Sequence, residues 1–227
     1  MIANLSYQAN VAILTLNRPE AMNALNGEMI QRIGELIDEV HKSEAKALIV
    51  VGAGEKAFCA GADVKGILGK DLAQQKEFAR KGQHVFAQLD QLSIPSIAVI
   101  SGVAFGGGLE LAMACTFRVA TSKARMGLPE IKLGLIPGYG GTQRLPRLIG
   151  AARALEIIST GRVVGAEEAE RIGLVNRVVD SGDPVEVGIN FSNEIGIPLP
   201  ASFAMARKAV AMSLDSTLLD GLEIEAG

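Results

Sequence analysis

The sequence predicts an α/β fold finished by a helical region. Three observations carry this expectation. Apolar runs of strand length alternate with amphipathic segments of helical spacing through the first three quarters of the chain. Glycine gathers at the joints between them. After about Asp183 only helical patterns continue. The chain therefore divides into a core over residues 1–182 and a helical region over residues 183–227.

Residues 11–16 (VAILTL) read as a strand stopped by Asn17, Arg18 and Pro19. Residues 27–42 read as a helix, because Met29, Ile33, Leu36, Ile37 and Val40 recur on one face and Asn26 supplies a cap. The continuous apolar run at 46–51 (KALIVV) is a buried strand leading into GAGEKAFCAGAD. A second helix is expected over roughly 71–91, then a strand at 95–100, then SGVAFGGG and the helix-like LELAMACT. Residues 117–120 and 173–179 read as strands, and 151–159 and 166–172 as helices. The segment from Asp180 to Ile197 is irregular, and 201–213 is the clearer of two helical pieces in the tail. The final residues, 221–227, break off in helical pattern, so the helical region is expected to be incomplete. No residue repeat is visible.

A chain of 227 residues with 48% apolar content can bury one sizeable core. A net charge of -3 provides no general attraction for nucleic acid or an anionic membrane, so an anionic ligand would need a local site. Cys59 and Cys115 lie in small-residue, apolar surroundings without paired spacing, as buried free thiols do in a reducing compartment. The first residues show neither a basic start nor a long apolar run, so we expect a cytoplasmic globular protein without signal peptide or membrane span. His41 and His84 stand outside any HxxxH or CxxC pattern, and no metal site is expected. Neither a GxSxG elbow nor a GxxxxGK[ST] phosphate loop occurs.

Glycine concentrates at 52–61, 102–108 and 134–141. The first stretch fits a loose GxGxxA dinucleotide pattern, but the next strand ends Ile100-Ser101-Gly102 without the acid such a site requires. The second places Gly106, Gly107 and Gly108 just before Glu110 in almost wholly apolar company. A carboxylate buried there must be paired, hydrogen-bonded or protonated. Arg118 or backbone donors could satisfy it structurally. Alternatively it is an acid–base group of raised pKa beside glycine N–H groups at the positive end of a helix, where an oxyanion would be stabilised. Glu130, in Leu128-Pro129-Glu130, reads as a first-turn helix residue with surface exposure as its default. Glutamates and backbone N–H groups are the chemistry this chain offers.

The segments LNRPEAMNALN, EKAFCAGADVK, SGVAFGGGLELAMAC, LPEIKLGLIPGYGGTQRLPRLIG and GLVNRVV, in that order, resemble the enoyl-CoA hydratase/isomerase (crotonase) family along nearly the whole chain. The resemblance implies a crotonase-like spiral of ββα units with a C-terminal helical region that drives homotrimer or homohexamer formation. It implies an oxyanion hole at the N–H groups of Ala62 and Gly107, and catalytic glutamates at Glu110 and Glu130. Both acids together imply a hydratase (a lyase) acting on an acyl-CoA thioester, with no separate cofactor because coenzyme A is part of the substrate. A Δ3-Δ2 enoyl-CoA isomerase and an RNA-binding relative are the alternatives. Ala60, Ala62, Asp63, Val64, Lys65, Gly107 and Gly138 are implied as substrate or coenzyme contacts, with Arg18, Lys56 and Lys65 as candidate phosphate partners. Fatty-acid and other lipid metabolism is the implied setting.

Overall fold

A computed structural model describes residues 1–63, 71–196 and 199–226, the side chain of Leu72 excepted. In chain order its elements are β1 (Ala3–Gln8), β2 (Val11–Leu16), α1 (Gly27–His41), β3 (Ala47–Gly52), β4 (Ala57–Cys59), α2 (Leu72–Gln91), β5 (Ser96–Ile100), β6 (Val103–Phe105), α3 (Gly107–Ala114), β7 (Phe117–Thr121) and β8 (Arg125–Gly127). A 3-10 helix at Pro129–Leu133 follows, then α4 (Gly141–Ile149), α5 (Ala151–Thr160), β9 (Val164–Gly165), α6 (Ala166–Arg171), β10 (Arg177–Val179), α7 (Pro184–Glu194), α8 (Pro200–Met212) and α9 (Leu218–Ala226).

The strands form two sheets, ordered β1-β2-β3-β5-β7-β10 and β4-β6-β8-β9. The first is parallel except for its edge hairpin β1–β2. Successive turns of the chain repeat one plan. β3, β5 and β7 of the large sheet lead into β4, β6 and β8 of the small one, and each short strand hands the chain to a helix. This is the expected spiral of ββα units. It repeats in geometry and not in residues, so no repeat shows in the sequence.

The strands read as continuous apolar runs because the large sheet is covered on both faces. Leu14, Leu48, Val50, Ala98, Ile100 and Ala120 join the core that includes α1, α2 and α3. The alternate residues Ile13, Ile49, Val51, Ile97, Val99 and Val119 meet Phe191 of α7. The irregular stretch after Asp180 thus conceals a helix. Asp183 caps it through bonds from the N–H groups of Val185 and Glu186, and Pro184 opens it. Gly188 lets α7 lie flat, since a Cβ there would stand 2.6 Å from Ile49 Cγ2. The boundary drawn at 182/183 therefore falls just before a helix that covers the core sheet. Among the described residues, α8 and α9 bury none of theirs.

Asn26 caps α1 by accepting the Met29 N–H, and Asp71 caps α2 in a reciprocal box with Gln74. Two expectations are corrected, and one helix was not anticipated. Residues 173–176 are not strand, because Gly173 (φ 83°) turns the chain after α6 and pairing begins only at Arg177. The helix expected from Leu109 begins at Gly107, so two of the glycines lie inside it. Residues 141–149 are helical although Pro146 interrupts their pattern. No described helix is long and apolar enough to cross a membrane.

α3 lies close against β4, where a Cβ on Gly108 would stand 2.1 Å from the Cys59 carbonyl oxygen. Gly108→Ala should cost about 3 kcal/mol of unfolding free energy or more, measured by urea denaturation. Gly27→Ala, at an open helix start, should change it little.

Candidate active site

A cavity of about 640 Å³ opens between the end of β4, the face of α2, the start of α3 and the segment around residues 129–139. Its shape follows from where glycine permits close approach. Gly61 has φ 98°, and a Cβ there would stand 2.6 Å from the Phe105 carbonyl oxygen and 3.4 Å from Gly107 N. The chain after β4 can therefore lie directly against the start of α3.

Two N–H groups come together there. Leu25 and Ala62 form a parallel bridge, in which Leu25 N–H donates to the Gly61 carbonyl (2.8 Å) and Asp63 N–H to the Leu25 carbonyl (2.9 Å). Strand alternation turns the Ala62 N–H to the other side. Gly107 is the first residue of α3, so its N–H has no intrahelical acceptor. Among the described residues neither N–H meets an acceptor, and both residues line the cavity. Gly106, at φ 50° and ψ -126°, makes the turn that aims the helix start.

Glu110 lies one turn into α3 and is 1% exposed. Its Oε1 accepts the N–H of Tyr139 (2.8 Å) and of Gly141 (2.7 Å). Backbone donors therefore satisfy this carboxylate, and Arg118 does not. The Arg118 guanidinium donates instead to the carbonyls of Leu174 and Cys115. Burial nevertheless pushes the Glu110 carboxyl up to about 7, with the negative charge of Glu130 adding to the rise. The two N–H bonds and the charge of Arg144 restrain it.

Glu130 occupies the first turn of the 3-10 helix, as its position after proline implies, but it is half-buried rather than exposed. Burial raises its carboxyl too. Its Oε2 is buried and finds no partner among the described residues. Its Oε1 would stand 3.0 Å from a Cβ on Gly106. Two protonatable carboxyls and two N–H groups without an acceptor among the described residues thus belong to one cavity whose walls are mostly apolar. Such a site can polarise a carbonyl oxygen and move a proton to or from an adjacent carbon.

Tyr139 and Gly141 were not singled out in the sequence, although the GYGG stretch that carries them was. The Tyr139 ring packs on Phe78 (5.9 Å between centroids) and Phe86 (5.5 Å). It fits because Gly82 and Gly107 lack side chains; a Cβ on either would come within 2.4 and 2.9 Å of the ring. Of the other sequence candidates, Ala60 and Gly138 line the cavity. Arg18 donates to the Ala24 carbonyl (2.9 Å) and faces Asp63 at 3.6 Å, so this guanidinium already has a carboxylate. Lys56 is exposed between β3 and β4 and is not among the lining residues. Val64 and Lys65 lie outside the described residues. Lys76 of α2 lines the cavity and was not anticipated. Among the described residues no group of His, Cys, Asp and Glu could hold a metal ion.

A sequence model of the enoyl-CoA hydratase/isomerase family matches residues 6–227. The chain is 39% identical over 222 residues to the short-chain-enoyl-CoA hydratase of Clostridium acetobutylicum, covering 97% of this chain and 85% of the relative. It is 46% identical over 176 residues to the crotonyl-CoA hydratase of Syntrophomonas wolfei, covering 77% and 68%. The crystal structure of an enoyl-CoA hydratase from Bacillus anthracis superposes with a TM-score of 0.94 at 37% identity, over all of this chain and 88% of that one.

A carboxyl held near 7 when folded and near 4.5 when unfolded binds more protons in the folded state between those values. Stability should therefore decline as pH rises from about 5 to about 8, by up to about 3 kcal/mol. Urea midpoints across that range should show this decline, and Glu110→Gln should remove most of it.

Proposed function

The chain belongs to the enoyl-CoA hydratase/isomerase family, and we propose that it adds water reversibly and syn across the double bond of a trans-2-enoyl-CoA, giving a 3-hydroxyacyl-CoA. The observation that carries this reading is the pair Glu110 and Glu130 sharing one cavity with the N–H groups of Ala62 and Gly107, which meet no acceptor among the described residues.

The thioester carbonyl accepts both N–H groups. This polarisation draws electron density from C3 and stabilises the enolate that forms once oxygen adds there. A water sits between the two carboxyls. Glu110, ionised in a substantial fraction near neutral pH, takes its proton as the oxygen attacks C3. Glu130 delivers a proton to C2 as the enolate collapses, in the form of the pair in which Glu130 holds the shared proton and Glu110 is ionised. The acids titrate as a coupled pair, and the more buried Glu110 bears the repulsion. An isomerase would need the N–H pair and one base only. The second acid in the same cavity favours hydration.

Ala60, Ala62, Gly107 and Gly138, which line the cavity, supply backbone around the thioester and the coenzyme, with Asp63 next in the chain. Among the described residues, Lys76, which lines the cavity, and the exposed Lys56 are candidate partners for its phosphates, since Arg18 is engaged with Asp63. Coenzyme A enters as part of the substrate, and the residues call for no other cofactor. The exposed apolar residues of α8 and α9, among them Met205, Val210, Leu218 and Leu219, suit burial in a homotrimer or a dimer of trimers. We place the protein in the cytoplasm, in fatty-acid metabolism.

Loss of the conjugated enoyl-thioester absorbance of crotonyl-CoA tests the reaction. Wild type should turn it over, and Glu110→Gln and Glu130→Gln should each lower kcat by at least about a hundredfold. A folded wild type with no turnover would refute hydration of this substrate. Ala62→Pro removes one N–H and should cost about 10²–10³ in kcat, with Ala62→Gly as the control for the lost methyl. Ala62 is the cleaner position, because any Cβ at Gly107 meets Tyr139.

A further inference from the structure

Glu110 is held by two N–H groups of the turn at 138–141, and that turn is itself held from outside the cavity. Arg144, in the first turn of α4, folds back over it. Its backbone N–H makes the first helical bond, to the Gly140 carbonyl (2.8 Å), and its guanidinium Nη1 stands 3.2 Å from where a Cβ on Gly140 would be. The same guanidinium pairs with Asp90 near the end of α2. Asp90 also feels the charge of Arg207 from α8. Arg207 donates to the Leu89 (2.7 Å) and Leu92 (3.0 Å) carbonyls that α2 leaves unsatisfied at its C-terminus. Three elements distant in sequence thus meet behind the turn that grips the active-site acid.

We propose that Arg144 is a positioning residue for Glu110, anchored by Asp90, and that through Arg207 the same cluster ties α8 to the active site. This rests on the assignment of Glu110 as the base. The geometry braces the turn where it donates, and the charges of Arg144 and Glu130 act on Glu110 in opposite senses. The groups that bear on Glu110 are the N–H groups of Gly141 and Tyr139, Glu130 from the 3-10 helix and Arg144 from α4. Behind Arg144 stand Asp90 of α2, Arg207 of α8 and the Cys115 thiol after α3. Arg144 alone would favour ionised Glu110. Asp90 offsets part of that charge while fixing where the guanidinium sits.

The variants separate the two effects. Asp90→Asn keeps an acceptor for Arg144 and removes the negative charge. Arg144→Gln removes the positive charge, and Arg144→Lys restores it without the planar fork. The titration of Glu110, followed by NMR in protein labelled with ¹³C at glutamate carboxyls and assigned through Glu110→Gln, needs no turnover. Its midpoint should rise by about one unit in Arg144→Gln and fall in Asp90→Asn. With crotonyl-CoA, a one-unit rise should lower kcat at pH 7 about fivefold with KM little changed, and the acid limb of the pH profile should shift the same way as the NMR midpoint. Arg144→Lys should recover the midpoint in part. Arg207→Gln should move the midpoint less than Arg144→Gln and in the same direction. Unshifted midpoints in folded Arg144→Gln and Asp90→Asn, or shifts of the same sign in both, would overturn the proposal. Opposite shifts in the NMR titration without turnover of crotonyl-CoA would uphold the positioning role and sink the hydratase reading instead.

Discussion

The structure depends on holding one carboxyl away from water without losing its ability to ionise. Burial alone would leave Glu110 protonated well above neutral pH. Two backbone N–H groups from the turn before α4 bring it back to about 7, where proton transfer is useful. Much of the fold serves that contact. α3 delivers the carboxyl, the turn at 138–141 delivers the donors, and aromatic packing of Tyr139 on Phe78 and Phe86 locks the turn against α2.

The second requirement is close approach of backbone to backbone. The N–H groups of Ala62 and Gly107 can share one ligand atom only if the chain after β4 touches the start of α3. Glycine at 61, 106 and 108 permits this, because a side chain at 61 or 108 would strike a carbonyl and one at 106 would crowd Glu130. These glycines do not provide flexibility. They provide room, and the spiral of strand, short strand and helix brings the rooms together. Gly82 does the same on α2, where it admits the Tyr139 ring.

Much of the fold was legible because both faces of the large sheet are covered. That burial writes continuous apolar runs such as VAILTL, KALIVV and SIAVI into the chain, and it writes amphipathic spacing into α1. The short strands of the second sheet were not legible. Three residues of β4, β6 or β8 carry too little pattern to be told from a loop. α7 was hidden for a different reason. Its contact with the sheet is made through Gly188 and Phe191, so it lacks the strong apolar stripe that marks α1.

The sequence by itself determined the chemistry available. It placed a glutamate among glycines and apolar residues at 110, and its ordered motifs identified the family and named Glu130, Ala62 and Gly107. Local composition suffices for this, because a charged residue in apolar company must be explained wherever the chain goes. Tertiary structure alone decided what surrounds the acids. It chose the Tyr139 and Gly141 N–H groups over Arg118 as partners of Glu110, set Arg18 against Asp63, and brought Asp90, Arg144 and Arg207 together from α2, α4 and α8. These pairings join residues separated by tens of positions. Nothing in the spacing of a linear chain encodes them; they exist only once the spiral has closed and burial has left each polar group to find the nearest partner.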